Sequence, residues 1–214
     1  QMSHKAILFD LDNTLYHYEP CNEAALAQVH RALTKCVKIS FNEFIEIHDR
    51  VRHEVAVEFQ SQVTRHNRTV FFNRITTAIT GTPEPLLTCQ LNDIYWQTFL
   101  DAIVPDPLTN SVITKIAEKF RIGLVTNQGT EAQFRKICRL GLDELFDSII
   151  TSEDAGHEKP DSRIFNMSLS SLGIGPQEAI LVGDDPEVDI AGASRVGIVT
   201  VHSLQYRDSD EGSD

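Results

Sequence analysis

Long apolar runs are missing from this chain of 214 residues: no stretch approaches the roughly 18–20 residues that a membrane-crossing helix needs. The first apolar run, Ala6-Ile7-Leu8-Phe9, is short, and no charged-then-apolar leader precedes it, so neither membrane insertion nor secretion is expected. Cysteine is sparse. Cys21, Cys36, Cys89 and Cys138 are scattered and form no CxxC, which argues against a zinc site or a disulfide framework. Four buried, reduced thiols in a cytoplasmic protein are the expectation. Positive charge is also short, with 19 Lys and Arg against 31 Asp and Glu and a net charge of −12. A nucleic-acid polymer is therefore not an expected partner, because Lys and Arg neutralising phosphates supply most of such affinity. Part of the acidic excess lies in residues 208–214, which read as a solvated, flexible tail. A negative chain still binds a small phosphorylated molecule where a local cation reverses the field.

Apolar residues are plentiful enough, at 41%, for one full domain or a domain carrying a smaller insert. Five short apolar runs stand out: Ala6–Phe9, Ile122–Val125, Ser148–Ile150, Ala179–Val182 and Ile198–Val201. Each is too short for a helix and lacks polar alternation, the pattern of strands buried on both faces. Helical spacing precedes the second run and fills the gaps between the last four. Leu108–Phe120 places Val112, Ile113 and Ile116 together. Glu131–Leu140 does so with Phe134, Ile137 and Cys138, and Arg163–Leu172 with Ile164, Met167, Leu169 and Leu172. Asp189–Val196 is shorter. Alternation of this kind predicts an α/β fold with a parallel, Rossmann-like sheet.

Residues 16–104 break the alternation. Helices are expected at Asn22–Val37, Phe41–Phe59, Thr69–Ile79 and Pro85–Ile103, the second opened by a Ser40/Glu43 capping box. The domain reading is a core of 1–15 and 105–207, an inserted helical module of 16–104, and the tail. His48 and His53, set among charges, are expected on the surface.

In an open parallel sheet, ligands bind beyond the carboxyl ends of the strands. Asp10-Leu11-Asp12-Asn13-Thr14 follows the first strand and Thr126-Asn127 the second. Lys159-Pro160 precedes a helix, and Gly183-Asp184-Asp185 follows the fourth strand, with Asp189 beyond. Carboxylates gathered on one edge repel one another unless a cation compensates, and a hard divalent ion suits oxygen ligands. Lys159, the Thr126 hydroxyl and backbone N–H groups supply what a phosphoryl group's oxygens require. These residue types assemble a phosphoryl-transfer site.

In this respect the sequence resembles the haloacid dehalogenase-like (HAD) superfamily. Phe9-Asp10-Leu11-Asp12-Asn13-Thr14-Leu15 is similar to its DxDxT motif. Thr126, Lys159 within Lys159-Pro160-Asp161-Ser162-Arg163-Ile164-Phe165, and Gly183-Asp184 with Asp189 resemble the three that follow. The insert resembles the subclass with an α-helical cap, which closes over the site and selects the leaving group. The resemblance implies Asp10 as nucleophile, forming an aspartyl-phosphate, and Asp12 as general acid and then base. Thr126, Asn127 through its backbone, and Lys159 would bind phosphate. Mg²⁺ would be held by Asp10, Asp184 and the Asp12 carbonyl, with Asp185 or Asp189 adjusting its surroundings. For Asp189, a helix N-terminal acid favoured by the dipole is an equal alternative. Tyr16, Tyr18 and Arg68 are candidate substrate contacts, and Gln128-Gly129 offers one more. Arg68 also reads as part of a solvated helix end, and Phe71, Phe72, Trp96 and Phe99 read as helical core.

The expected activity is Mg²⁺-dependent hydrolysis of a small phosphorylated metabolite, a nucleoside monophosphate or sugar phosphate, by a monomer or homodimer. A 2-haloacid dehalogenase is the first alternative, but halide leaves without a proton, and dehalogenating relatives typically lack an Asp at the position of Asp12. A phosphomutase and a non-catalytic binding protein are the others.

Overall fold

The computed structural model describes residues 4–60 and 62–206; the expected tail at 208–214 lies outside them. In chain order the elements are β1 (Ala6–Phe9), α1 (Tyr18–Leu33), α2 (Phe41–Glu58), a 3₁₀ turn (Val63–His66), α3 (Arg68–Thr80), α4 (Pro85–Ala102) and α5 (Pro107–Ala117). Then come β2 (Arg121–Thr126), α6 (Thr130–Leu140), β3 (Ser148–Thr151), α7 (Ser152–Ala155), α8 (Ser162–Leu172) and a 3₁₀ turn (Pro176–Glu178). The described chain closes with β4 (Ala179–Gly183), a wide π-type turn (Pro186–Ala191), α9 (Gly192–Arg195) and β5 (Val199–His202).

Among the described residues the strands form one sheet in the order β3-β2-β1-β4-β5. Every neighbouring pair is parallel, with Leu8 level with Gly123 on one side and Leu181 on the other. Connections leave β1 toward β2 and later return to its other side at β4, so the direction of winding reverses there. That reversal opens a crevice at the strand ends, where the residues following β1 and β4 face each other. The sheet is an α/β, Rossmann-like core, as expected.

Ala6 and Leu8 from β1, Val125, Ile150, Ala179 and Leu181 pack with Ile164, Phe165, Leu169 and Leu172 of α8 and Ala193 of α9 in one buried cluster. A Cβ at Gly123 would lie 2.5 Å from Leu8 Cδ2, so any larger residue there would force the buried Leu8 side chain to move. The edge strand β5 departs from the expectation of burial on both faces: Val199 and Val201 are about half exposed.

Two units are distinguished by their internal packing: Glu19–Ile103, and the chain up to Tyr18 together with that from Val104 onward. The first is helical. Phe44, Val51, Val55, Phe71, Phe72, Ile75, Leu91, Tyr95 and Phe99 are buried in it, and Trp96 packs edge-on against Tyr95 and Phe99. Ser40 caps α2 with the expected reciprocal bonds, Glu43 N–H to Ser40 Oγ and Ser40 N–H to Glu43 Oε2.

Several local expectations are corrected. Helix α1 starts and ends four residues before the range read from periodicity, because Pro20 sits in its first turn, where no N–H is needed. His48 is buried, since it shares the α2 face of Phe44, Val51 and Val55. Of the cysteines only Cys21 is buried; Cys36, Cys89 and Cys138 are exposed. Phe134 and Val112, assigned to inward faces, are nearly half exposed. No helix among the described residues is long and apolar enough to cross a membrane.

Candidate active site

The turn after β1 sets the site. Asn13 adopts a left-handed backbone, φ 61°, which asparagine tolerates better than most residues, and its Oδ1 accepts from Tyr18 N–H at 2.9 Å. Leu11 carbonyl accepts from the N–H groups of Thr14 and Leu15. The chain thereby doubles back and brings the Thr14 hydroxyl to 3.3 Å from Asp10 Oδ2 and 3.5 Å from Asp184 Oδ1.

Lys159 is buried and donates to Asp10 Oδ1 at 2.5 Å and Asp189 Oδ1 at 2.7 Å. Its backbone is held by one side chain: Asn127 Nδ2 donates to Lys159 carbonyl at 3.0 Å, and Lys159 N–H donates to Asn127 Oδ1 at 2.8 Å. The turn after β2 is thus tied to the segment ahead of α8. Burial by itself would lower the Lys159 pKa, but Asp10 and Asp189 outweigh it and hold the ammonium firmly charged.

Asp185 and Asp189 divide their roles. Asp185 Oδ1 accepts from Glu187 and Val188 N–H, both at 2.8 Å, and so caps the turn. Asp185 carbonyl accepts from both Asp189 and Ile190 N–H, widening the turn into π geometry. That widening buries Asp189 against Lys159, while its Oδ2 accepts from Asp185 N–H at 3.1 Å. Asp189, rather than Asp185, therefore joins the cluster.

Among the described residues, Asp10, Asp184 and Asp189 bring carboxylate oxygens within 4.8 Å of one another. Burial pushes Asp10 up to about 7, with Lys159 pulling the other way and Asp189 and Asp12 adding to the rise. Burial and then Asp189 push Asp184 up to about 6. One ammonium leaves this group short of positive charge. A hard divalent cation fits that deficit and the all-oxygen donor set.

Asp12 faces elsewhere. Lys136 Nζ donates to its Oδ1 at 2.8 Å and its Oδ2 at 3.0 Å, Tyr16 hydroxyl donates to Oδ1, and Gln133 Nε2 lies 3.4 Å from Oδ2. Burial acts to raise the Asp12 pKa, but Lys136 and these hydrogen bonds outweigh it and lower it. Gln133 Nε2 also donates to Thr126 Oγ1 at 2.5 Å. The side chain of Asp12 is thus outside the carboxylate cluster, and only its backbone carbonyl remains for the expected metal contact.

Gln133 and Lys136 escaped the sequence reading. On α6 the buried residues are Gln133, Lys136, Ile137 and Leu140, an i, i+3, i+4, i+7 face whose first two members are polar. Following apolar residues alone gave a face centred on Phe134 and Cys138; asking which polar residues share the spacing of Ile137 and Leu140 would have found both. Tyr16 is buried and turned onto Asp12, and Tyr18 lies with its ring centroid 5.4 Å from the Lys136 ammonium. Arg68, in the helical unit, sits over the rings of Phe71 and Tyr95 at 5.0 and 5.1 Å. Gln128 has φ 149°, a backbone region that favours glycine, and Ser152 Oγ accepts from its N–H at 2.9 Å.

Residues 4–197 match the haloacid dehalogenase-like hydrolases. A ribulose-1,5-bisphosphate 5-phosphatase from Halopiger xanaduensis is 38% identical over 96% of this chain and 87% of its own. A glyceraldehyde 3-phosphate phosphatase from Methanopyrus kandleri is 33% identical over 98% of this chain and 89% of its own. The crystal structure of a HAD phosphatase from Thermococcus onnurineus superposes with a TM-score of 0.73 at 26% identity, covering 98% of this chain and 90% of that one. The chain belongs to the haloacid dehalogenase-like hydrolases, as a phosphoric monoester hydrolase of that family.

Proposed function

We propose that this protein is a Mg²⁺-dependent phosphatase that hydrolyses a small sugar phosphate through an aspartyl-phosphate on Asp10. One observation carries the reading: two carboxylates of a single turn have opposite surroundings. Asp10 lies in a carboxylate cluster against Lys159, and Asp12 is turned away onto Lys136. Carboxylates pushed apart in this way take different chemical roles. The two relatives named for sugar-phosphate substrates favour that class over nucleoside monophosphates.

In this reading an Asp10 oxygen bonds to phosphorus while the phosphorus–oxygen ester bond breaks. Asp12, held ionised by Lys136, first takes the proton that the phosphate monoanion brings and then passes it to the departing oxygen. Water then attacks the phosphorus, gives its proton to Asp12, and frees phosphate and Asp10. Lys159 and the Thr126 hydroxyl hold phosphoryl oxygens. Mg²⁺ would be held by Asp10, Asp184 and the Asp12 carbonyl and would supply the positive charge that the cluster lacks. Phosphate-monoester hydrolysis needs accelerations up to about 10²¹-fold, so nucleophile, acid and cation have to act together.

The test is a panel of phosphate esters with Mg²⁺: glyceraldehyde 3-phosphate, ribulose 1,5-bisphosphate, nucleoside monophosphates and p-nitrophenyl phosphate. Sugar phosphates are expected to turn over fastest, with phosphate released to water, and Asp10→Asn to abolish turnover. Activity surviving in Asp10→Asn removes the nucleophile. Transfer to a second hydroxyl makes the enzyme a mutase, and halide release from 2-haloacids without metal would replace the reading altogether.

A further inference from the structure

Lys136 lies outside the residues assigned to the chemistry, yet its side chain is fully buried. A buried ammonium is costly unless paired and hydrogen-bonded. Its carboxylate partner here is Asp12, and contacts of 2.8 and 3.0 Å to the two oxygens fix the position and the plane of that carboxylate. Tyr16 hydroxyl holds one of those oxygens, and the Tyr16 and Tyr18 rings flank the ammonium at 6.0 and 5.4 Å. Gln133 connects Asp12 to Thr126. The Asp12 side chain is 23% exposed, so it keeps one open side while the rest of it is clamped.

We infer that Lys136 is a positioning residue for proton transfer by Asp12: with Gln133 and Tyr16 it holds that carboxylate at a set distance from Thr126, so that it meets the ester oxygen of a phosphoryl group seated there. The inference rests on the proposed phosphatase reaction. Misplacing a catalytic group by about 1 Å costs on the order of 10²-fold in rate. The loss depends on the leaving group. A sugar alkoxide departs only with the proton from Asp12, whereas nitrophenolate departs without one. Formation of the Asp10–phosphorus bond is the same for both esters, and so is the later hydrolysis of the aspartyl-phosphate, in which Asp12 acts as base; the leaving-group bias is therefore read in kcat/KM, which reports only the steps up to departure of the leaving group.

The experiment compares Lys136→Met and Lys136→Arg with the unaltered enzyme, in Mg²⁺, on glyceraldehyde 3-phosphate and p-nitrophenyl phosphate. Lys136→Met is expected to lower kcat/KM on the sugar phosphate by about 10²-fold and on the aryl ester by less than about 10-fold. Lys136→Arg, which restores a cation and its donors, is expected to recover part of the sugar-phosphate rate. Equal losses of kcat/KM on both esters, or no loss, would overturn the inference while leaving the phosphatase reading intact. Failure of the unaltered enzyme on both esters takes both readings down. Should circular dichroism show that Lys136→Met does not fold, Tyr16→Phe and Gln133→Leu read the same ratio. They are expected to show the same leaving-group bias in smaller measure, and its absence in both overturns the inference.

Discussion

Gly183 and Asp189 compete for one volume. A Cβ added at Gly183 would lie 2.5–2.6 Å from the Asp189 carboxylate and Cβ, so the side chain as a whole, not only its tip, has to give way. Asp189 is half of the pair of acids that holds Lys159. Gly183→Ala is therefore expected to act on catalysis as well as stability: kcat falls by at least about 10-fold, because Lys159 loses one anchor. Steady-state kinetics beside a thermal melt checks this, and unchanged kcat with a lowered Tm would confine the glycine to packing. At the same scale the sequence showed Asp10, Asp12, Lys159 and Asp184 clearly, because each sits directly beside a strand end or within a recognisable motif. Asp185 and Asp189 were not separable by spacing. The separation comes from the π turn, in which the Asp185 side chain is consumed as a cap and Asp189 is rotated inward.

Elements differ in how far their own sequence defines them. Helix α2 carries its start signal in Ser40 and Glu43, whose reciprocal bonds lie on the exposed surface. Ser40→Ala is expected to cost about 1 kcal/mol of stability with activity unchanged, readable as a shift in denaturant midpoint at constant slope. A drop in activity without a shift in midpoint would contradict that assignment. Helix α6 is the opposite case. Its buried face mixes Gln133 and Lys136 with Ile137 and Leu140, so hydrophobic periodicity pointed a residue away from the true face. The strands were legible because burial on both faces writes continuous apolar runs. The edge strand β5 looks the same in sequence, yet its valines are about half exposed, since sheet order is a property of the assembled topology.

Across the whole molecule, protons and metal compete for the same carboxylates. Asp10 and Asp184 are raised to about 7 and about 6 from the usual carboxylate value of 3.8. Between pH 4 and 7 the folded state therefore holds protons that the unfolded state has lost. With more protons bound when folded, stability from these groups falls as pH rises through that window. Under the proposed reading Mg²⁺ would bind the deprotonated cluster and oppose the loss. The increase in Tm on adding Mg²⁺ is thus expected to be larger at pH 8 than at pH 5, and chelation with EDTA to remove it. A thermal-shift series in both buffers checks the sign; an increase that is larger at pH 5 would refute it.

The sequence by itself determined the alternation of strand and helix, the helical character of the stretch between the first two strands, and the motif residues that name the family. All of these follow from local periodicity and from short spacings along one chain. Tertiary structure alone decided that Lys136 and Gln133 of α6 meet Asp12, and that Asp189 anchors Lys159 while Asp185 caps a turn. The first brings together groups more than a hundred residues apart, Lys136 and Asp12, and the second joins Lys159 to an acid 30 residues further along. No window of sequence contains both members of such a pair, so their energetics appear only once the sheet has brought them together.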